Sequence, residues 1–296
     1  MVWTDIAKFL EFYLDSVPQI FGWYHIISLL LIIGISVIIG IFFGKKRNGG
    51  KFKTYKKIFL VVWIINVFFE VYKQIIITFP SSGDYFYRWW AFPFFICSFP
   101  LYMMPIAIFT KNEKIRRLMD YFLATYVLFS GAIVICYPAI VFNNLMFLNV
   151  QTIICHGSQV IIGVYLYASG RVRFSVTNDY SFNLKDFINV TLLFLATFIL
   201  SQLLHVIHRS LGLHLIHGCD LTIFHVSPYY TTPLPILSII HEKLGYIALI
   251  FAFPLSMIIT AYLTYSIAFS MQLLLKNEKL PLMRKIKSNS NKKNYE

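Results

Sequence analysis

Apolar runs of about twenty residues recur along the chain between short polar connections, the length that crosses a bilayer as a helix. Seven such runs fall near residues 23–43, 58–79, 89–109, 121–141, 145–168, 187–207 and 244–270. None alternates with a two-residue period, and only helices and closed barrels satisfy a backbone in lipid. The expected fold is therefore all-α: a polytopic membrane bundle of seven transmembrane helices.

Before the first run, residues 1–22 carry Asp5, Glu11 and Asp15, too many acids for a signal peptide. Trp3, Ile6, Phe9, Leu10 and Tyr13 fall at helical spacing, which predicts a short helix on the membrane surface. Residues 23–270 form the expected transmembrane domain. Residues 271–296, rich in Lys, Ser and Asn, read as a basic cytoplasmic tail.

Composition agrees with the runs. The 296 residues are 58% hydrophobic and 13% charged, against roughly 25% charged in soluble domains. This excludes a soluble enzyme, a disordered linker and a secreted disulfide scaffold. Lys and Arg number 26 against 13 Asp and Glu, a balance that in a soluble protein would point to nucleic acid. Sorting the cations by alternate connections gives another reason: one set of connections with the tail holds 21 and the other set only four. The positive-inside rule then places the N-terminus outside and the C-terminus in the cytoplasm, and leaves no need for nucleic acid. The expected location is multi-pass in a cell membrane, and the richness in Ile, Lys, Asn, Phe and Tyr suggests a bacterial plasma membrane.

Four cysteines, Cys97, Cys136, Cys155 and Cys219, form no CxxC pair, so no disulfide framework or cysteine-rich zinc module is indicated. Polar groups inside the spans are more informative, because each costs a few kcal/mol at mid-bilayer. At 1.5 Å per residue, Cys97 lies roughly 12 Å, Glu70 roughly 14 Å and His156 roughly 16 Å from the outer ends of their spans. A thiol, a carboxylate and an imidazole thus share one level. An imidazole can take a thiol proton and a carboxylate can orient the imidazole, which is the chemistry of acyl transfer. Cys97 can equally be a small core residue and His156 an interhelical donor. Glu70 and Lys73, three apart on one helix, suit a local ion pair.

Pro93, Pro100 and Pro105 surround Cys97 and remove backbone donors there. Asn66, Gln151 and Gln159 complete a supporting polar cluster, as oxyanion donors or as interhelical hydrogen bonds. The connection 208–243 holds His208, His214, His217, Cys219 and Asp220, with His205 just inside the membrane. His205, His208, His214 and His217 could be considered for zinc, but the spacing fits no strict signature and no metal is assigned. Further on, His225, Ser227, Pro228, Tyr229 and Tyr230 form a stiff aromatic stretch suited to a lid or substrate loop.

A proline-flanked Cys in the third span, a Cys-His-Gly in the fifth and a Ser-Pro-Tyr-Tyr stretch before the last helix resemble the YwaF-like integral membrane proteins, bacterial relatives of the transmembrane protein 164 acyltransferases. The similarity runs from about Phe59 to Tyr265. It implies a cysteine acyltransferase that moves fatty acyl chains between phospholipids or lysophospholipids, with Cys97 as nucleophile, His156 as its base and no cofactor. Two other classes stay open: a transporter or receptor for a small hydrophobic ligand built on Glu70, Lys73 and His156, and a metal-dependent lipid hydrolase built on the loop histidines.

Overall fold

The computed structural model describes residues 2–44, 52–172, 184–217 and 219–275. Most of the basic connection 45–57, part of the connection after residue 172 and residues 276–296 of the predicted tail lie outside the described residues, whereas 271–275 continue the last helix. Among the described residues the regular structure is helical, with no strands.

Among the described residues six helices are long and apolar enough to span a membrane. They are α2 (Trp23–Gly44), α3 (Phe52–Thr78), the composite α5 (Glu113–Phe122) and α6 (Leu128–Cys136), α7 (Met146–Ala168), α8 (Leu184–Ser210) and α9 (Pro235–Leu275). The span expected near 121–141 ends at Cys136, two residues ahead of Pro138. Between α5 and α6 the residues Leu123–Val127 form a π turn, and Tyr167 donates its hydroxyl to the carbonyl of Ala124 within it at 2.9 Å. Such wide turns leave backbone carbonyls short of partners. The last helix breaks at Gly245, whose φ of +80° only glycine adopts readily.

The third expected span, 89–109, is not one continuous helix. It resolves into two 3₁₀ turns, Trp89–Ala91 and Ile96–Ser98, followed by the ten-residue α4 (Pro100–Phe109). Cys97 therefore lies on an irregular turn rather than eight residues along a helix. Prolines favour the break: each lacks an N–H, and Phe92 before Pro93 leaves helical backbone at ψ 127°, whereas Phe99 before Pro100 stays helical and Pro100 opens α4. Side chains supply what the backbone lost. Gln74 Nε2 donates to the Ala91 carbonyl at 2.8 Å, the Tyr102 hydroxyl to that of Pro93 at 2.7 Å and Gln159 Nε2 to that of Cys97 at 2.6 Å. Pro105 cannot donate to Leu101 four residues back, and the Trp63 indole does so at 2.9 Å. Irregular backbone at membrane depth is tolerated where protein replaces the missing bonds.

The short N-terminal helix α1 (Val2–Glu11) turns Ala7 and Glu11 towards the bundle and leaves Ile6 and Phe9 exposed, as a surface helix requires. Buried Glu11 accepts from Ser81 N and Oγ, and Tyr72 donates to the Leu10 carbonyl, so α1 is fixed to the end of α3. A buried aromatic stack forms the centre of the bundle: Tyr126 on Phe194 at 4.6 Å between centroids, and Phe198 on Phe253 at 5.7 Å.

The two ends of the bundle differ. At the end where the basic connections meet, buried Asp120 accepts from Tyr55 Oη at 2.7 Å, and Arg171 lies over the Tyr55 ring at 3.6 Å. Arg117 pairs with Asp186 there. The opposite end holds α1, the 79–99 segment and the 219–234 loop, and it is rich in aromatic rings.

Candidate functional site

The turn that carries Cys97 packs against α6, the π turn and α7. On α7, His156 and Gln159 are three residues apart and so share a face. Because Gln159 holds the Cys97 carbonyl, the thiol-bearing turn sits within one helical turn of His156. Gly131 on α6 makes this approach possible: a Cβ there would meet the His156 carbonyl and the Gln159 Cβ at 2.7 Å.

His156 is buried, and its Nδ1 stands 2.8 Å from the carbonyl of Thr152, one turn back on the same helix. A carbonyl only accepts, so Nδ1 carries the proton and Nε2 keeps its lone pair. That is the tautomer able to receive a proton. The imidazole is thus oriented by its own helix and not by Glu70. Glu70 pairs with Lys73 at 2.9 Å and accepts from Gln74 at 2.7 Å. The ion pair lies within electrostatic reach of Cys97, Cys155 and His156.

The remaining amides are unequally committed. Asn66 donates to the Val62 carbonyl and to Ser158 Oγ, tying α3 to α7. Gln151 makes a long contact of 3.5 Å to Cys155 Sγ. A groove of about 330 Å³, lined by Glu70, Val71, Gln74, Ile75, Phe79 and Tyr87 among others, opens beside the ion pair on α3, where Val71 and Ile75 are exposed.

The loop from Cys219 to His225 touches the segment that precedes Cys97. Trp89 N donates to Cys219 Sγ at 3.2 Å, Thr222 Oγ1 to the Trp90 carbonyl at 3.4 Å, and the His225 ring lies 5.2 Å from that of Phe95. Buried Ser227 accepts from Tyr229 N, starting a local turn at Pro228. Arg209 bridges to Asp220 at 2.7 Å and lies over the Tyr229 ring at 4.1 Å. Burial pushes the phenol of Tyr230 up and the His225 imidazole down, the latter to about 4.

The loop histidines disperse. His205 lies buried on α8, and His208 packs its ring on Trp89 at 4.9 Å and on His214 at 6.3 Å. The His217 side chain lies outside the described residues. Among the described residues no group of three His, Cys, Asp or Glu side chains converges as a metal site would.

The π turn, the Cys219–Trp89 contact and the left-handed backbone of Phe224 and His225 escaped sequence reasoning. Only the prolines announced irregular backbone, and they did so on the other side of the contact.

Six apolar spans and a buried polar cluster define a multi-pass helical membrane protein. The chain matches the TMEM164 family over residues 20–265 and belongs to it. No curated protein and no solved structure matches.

Proposed function

We propose that the chain is an integral membrane cysteine acyltransferase acting on phospholipids and lysophospholipids of the outer leaflet of a bacterial plasma membrane. The observation that carries this reading is the Gln159–Cys97 hydrogen bond, which holds a thiol-bearing turn beside a histidine in the base-competent tautomer. Family membership supports it, because the resemblance read from the sequence implies acyl transfer at these same two residues. The charge split along the chain supports an N-terminus outside and a cytoplasmic C-terminus.

In the first half-reaction His156 Nε2 takes the Cys97 proton, and the thiolate attacks the ester carbonyl of the donor lipid. A C–S bond forms, the C–O bond breaks, and the proton passes from His156 to the departing lysophospholipid oxygen. In the second half His156 takes the proton of the acceptor hydroxyl, whose oxygen attacks the thioester, and the thiol is restored by that proton. Gln151, whose amide has the weakest existing contact of the three cluster amides, is assigned to the oxyanion. The groove beside Glu70 would admit the acyl chain from the side. The Glu70–Lys73 pair sets the local field, and the 225–230 loop caps the site. No step needs a metal or cofactor.

The test is to incubate purified protein with labelled phospholipid and identify the acyl adduct by mass spectrometry. A thioester on Cys97 is expected, and full turnover by Cys97→Ala would remove the mechanism. An inert Cys97 together with proton- or ligand-dependent uptake into vesicles would favour a transporter.

A further inference from the structure

The turn Ile96–Ser98 has little to hold its own shape. It contains two short-range bonds, Ser98 N to the Phe95 carbonyl at 2.9 Å and Phe99 N to that of Ile96 at 3.2 Å. A 3₁₀ turn of three residues is weak alone and takes its geometry from what touches it. Gln159 fixes its carbonyl side. On the other side stands Phe95, whose extended backbone (φ −87°, ψ 163°) starts the turn.

The lid loop meets Phe95 through an unusual corner. Phe224 and His225 are consecutive non-glycine residues with φ of +56° and +55°, a left-handed conformation that L residues avoid unless the surroundings impose it. The surroundings do so here. Phe224 is 3% exposed among the rings of Phe99, Phe194, Phe198 and Phe253, each 5.8–6.3 Å away between centroids. With Phe224 anchored, the corner turns the His225 ring onto Phe95 at 5.2 Å. Among the described residues neither nitrogen of that ring makes a hydrogen bond, so what the residue offers the site is a flat face. The loop is also pinned at Cys219 and Thr222 to the backbone of Trp89 and Trp90.

We infer that His225 is a positioning residue: the strained Phe224–His225 corner presses an aromatic face on Phe95 and so fixes the turn that presents the Cys97 thiol. The inference rests on the proposed acyl transfer only for its consequence in turnover, because the packing itself can be read from the thiol.

The experiment measures two rates on the full-length protein in detergent. One is alkylation of Cys97 by N-ethylmaleimide, followed on its own peptide by mass spectrometry; the other is formation of acyl-Cys97 from phospholipid. His225→Phe keeps the face and loses the proton site, and both rates are expected to stay within about twofold of the natural protein. His225→Gly relieves the left-handed strain and removes the face. Alkylation is expected to rise about fivefold as the turn loosens, and acyl-Cys97 formation to fall about tenfold as its alignment is lost. Phe95→Leu removes the other face and is expected to change both rates in the same directions, which covers a His225→Gly chain that fails to fold. Unchanged rates in both His225→Gly and Phe95→Leu would overturn the inference. So would a His225→Phe protein as defective as His225→Gly, which would assign the role to the imidazole. Should the natural protein form no acyl-Cys97, the proposed function fails, and the alkylation contrast still decides the positioning.

Discussion

The side-chain amide of Gln159 donates to the backbone carbonyl of Cys97 at 2.6 Å, joining the broken third span to α7 one turn from His156. Gln159→Leu removes the donor and leaves a carbonyl unpaired at membrane depth. A loss of about 1–3 kcal/mol in stability is expected, with acyl-Cys97 formation reduced about tenfold through misalignment. Thermal melting and adduct yield on one preparation would separate the two effects.

His156 and Glu70 should differ sharply in kind. His156→Ala removes the base and is expected to slow acyl-Cys97 formation by about 10²–10⁴ with folding retained. Glu70→Gln leaves Lys73 without its partner and should cost about 1–3 kcal/mol in stability, while the rate falls far less than for His156→Ala. Equal rate losses in both variants would show that the carboxylate orients the imidazole after all.

Two glycines on neighbouring helices predict contrasting outcomes. A methyl at Gly131 would lie 2.7 Å from the His156 carbonyl, which is backbone and cannot swing aside. Gly131→Ala should therefore destabilise by about 1–3 kcal/mol and lower acyl-Cys97 yield by pushing α6 from α7. At Gly157 the methyl meets the Ile32 Cδ1 at 2.8 Å, the far end of a flexible side chain. Gly157→Ala should fold with a smaller loss, measurable as a smaller drop in melting temperature.

The lowered pKa of His225 sets the sign of a pH effect. Burial holds the imidazole neutral down to about 4, against an ordinary value of 6.5. The unfolded chain thus binds a proton that the folded chain refuses, and stability falls as pH drops from about 6.5 towards 4. Melting temperatures across that range should decline less steeply in His225→Phe than in the natural protein. Parallel curves would contradict this.

Tyr55 at the opposite end tests independence. Its hydroxyl donates to Asp120 at 2.7 Å, and Asp120 is 3% exposed. Tyr55→Phe should cost about 1–3 kcal/mol, because a buried carboxylate loses a partner, and acyl-Cys97 formation per folded molecule should be unchanged. Melting and specific adduct yield are the two readings required.

Much of the architecture could be read along the chain. Expected and observed helices agree closely at 23–43 and 145–168, where long apolar runs end at polar residues. The Phe52 start of α3, six residues before the expected one, shows why boundaries blur: Lys53, Lys56 and Lys57 lie on helix that continues beyond its apolar run. The Glu70–Lys73 pair was legible too, since three-residue spacing is a property of one helix.

The candidate site was only half legible. Sequence could set His156 on a continuous helix, but counting 1.5 Å per residue along the third span fails at Cys97, which lies on an irregular turn. It could not find Gln159 on Cys97, Trp63 on Leu101 or His225 on Phe95, since each joins residues far apart in sequence.

The residue order by itself determined a helical membrane chain, the sorting of its cations and the place of its prolines, because hydropathy, charge and missing N–H groups are local properties. Only the tertiary structure decided that the third span breaks around Cys97, that His156 is oriented by Thr152 and that Phe224 and His225 form a left-handed corner. Partners for unsatisfied backbone come from whichever helices pack nearby, and packing is a property of the assembled bundle.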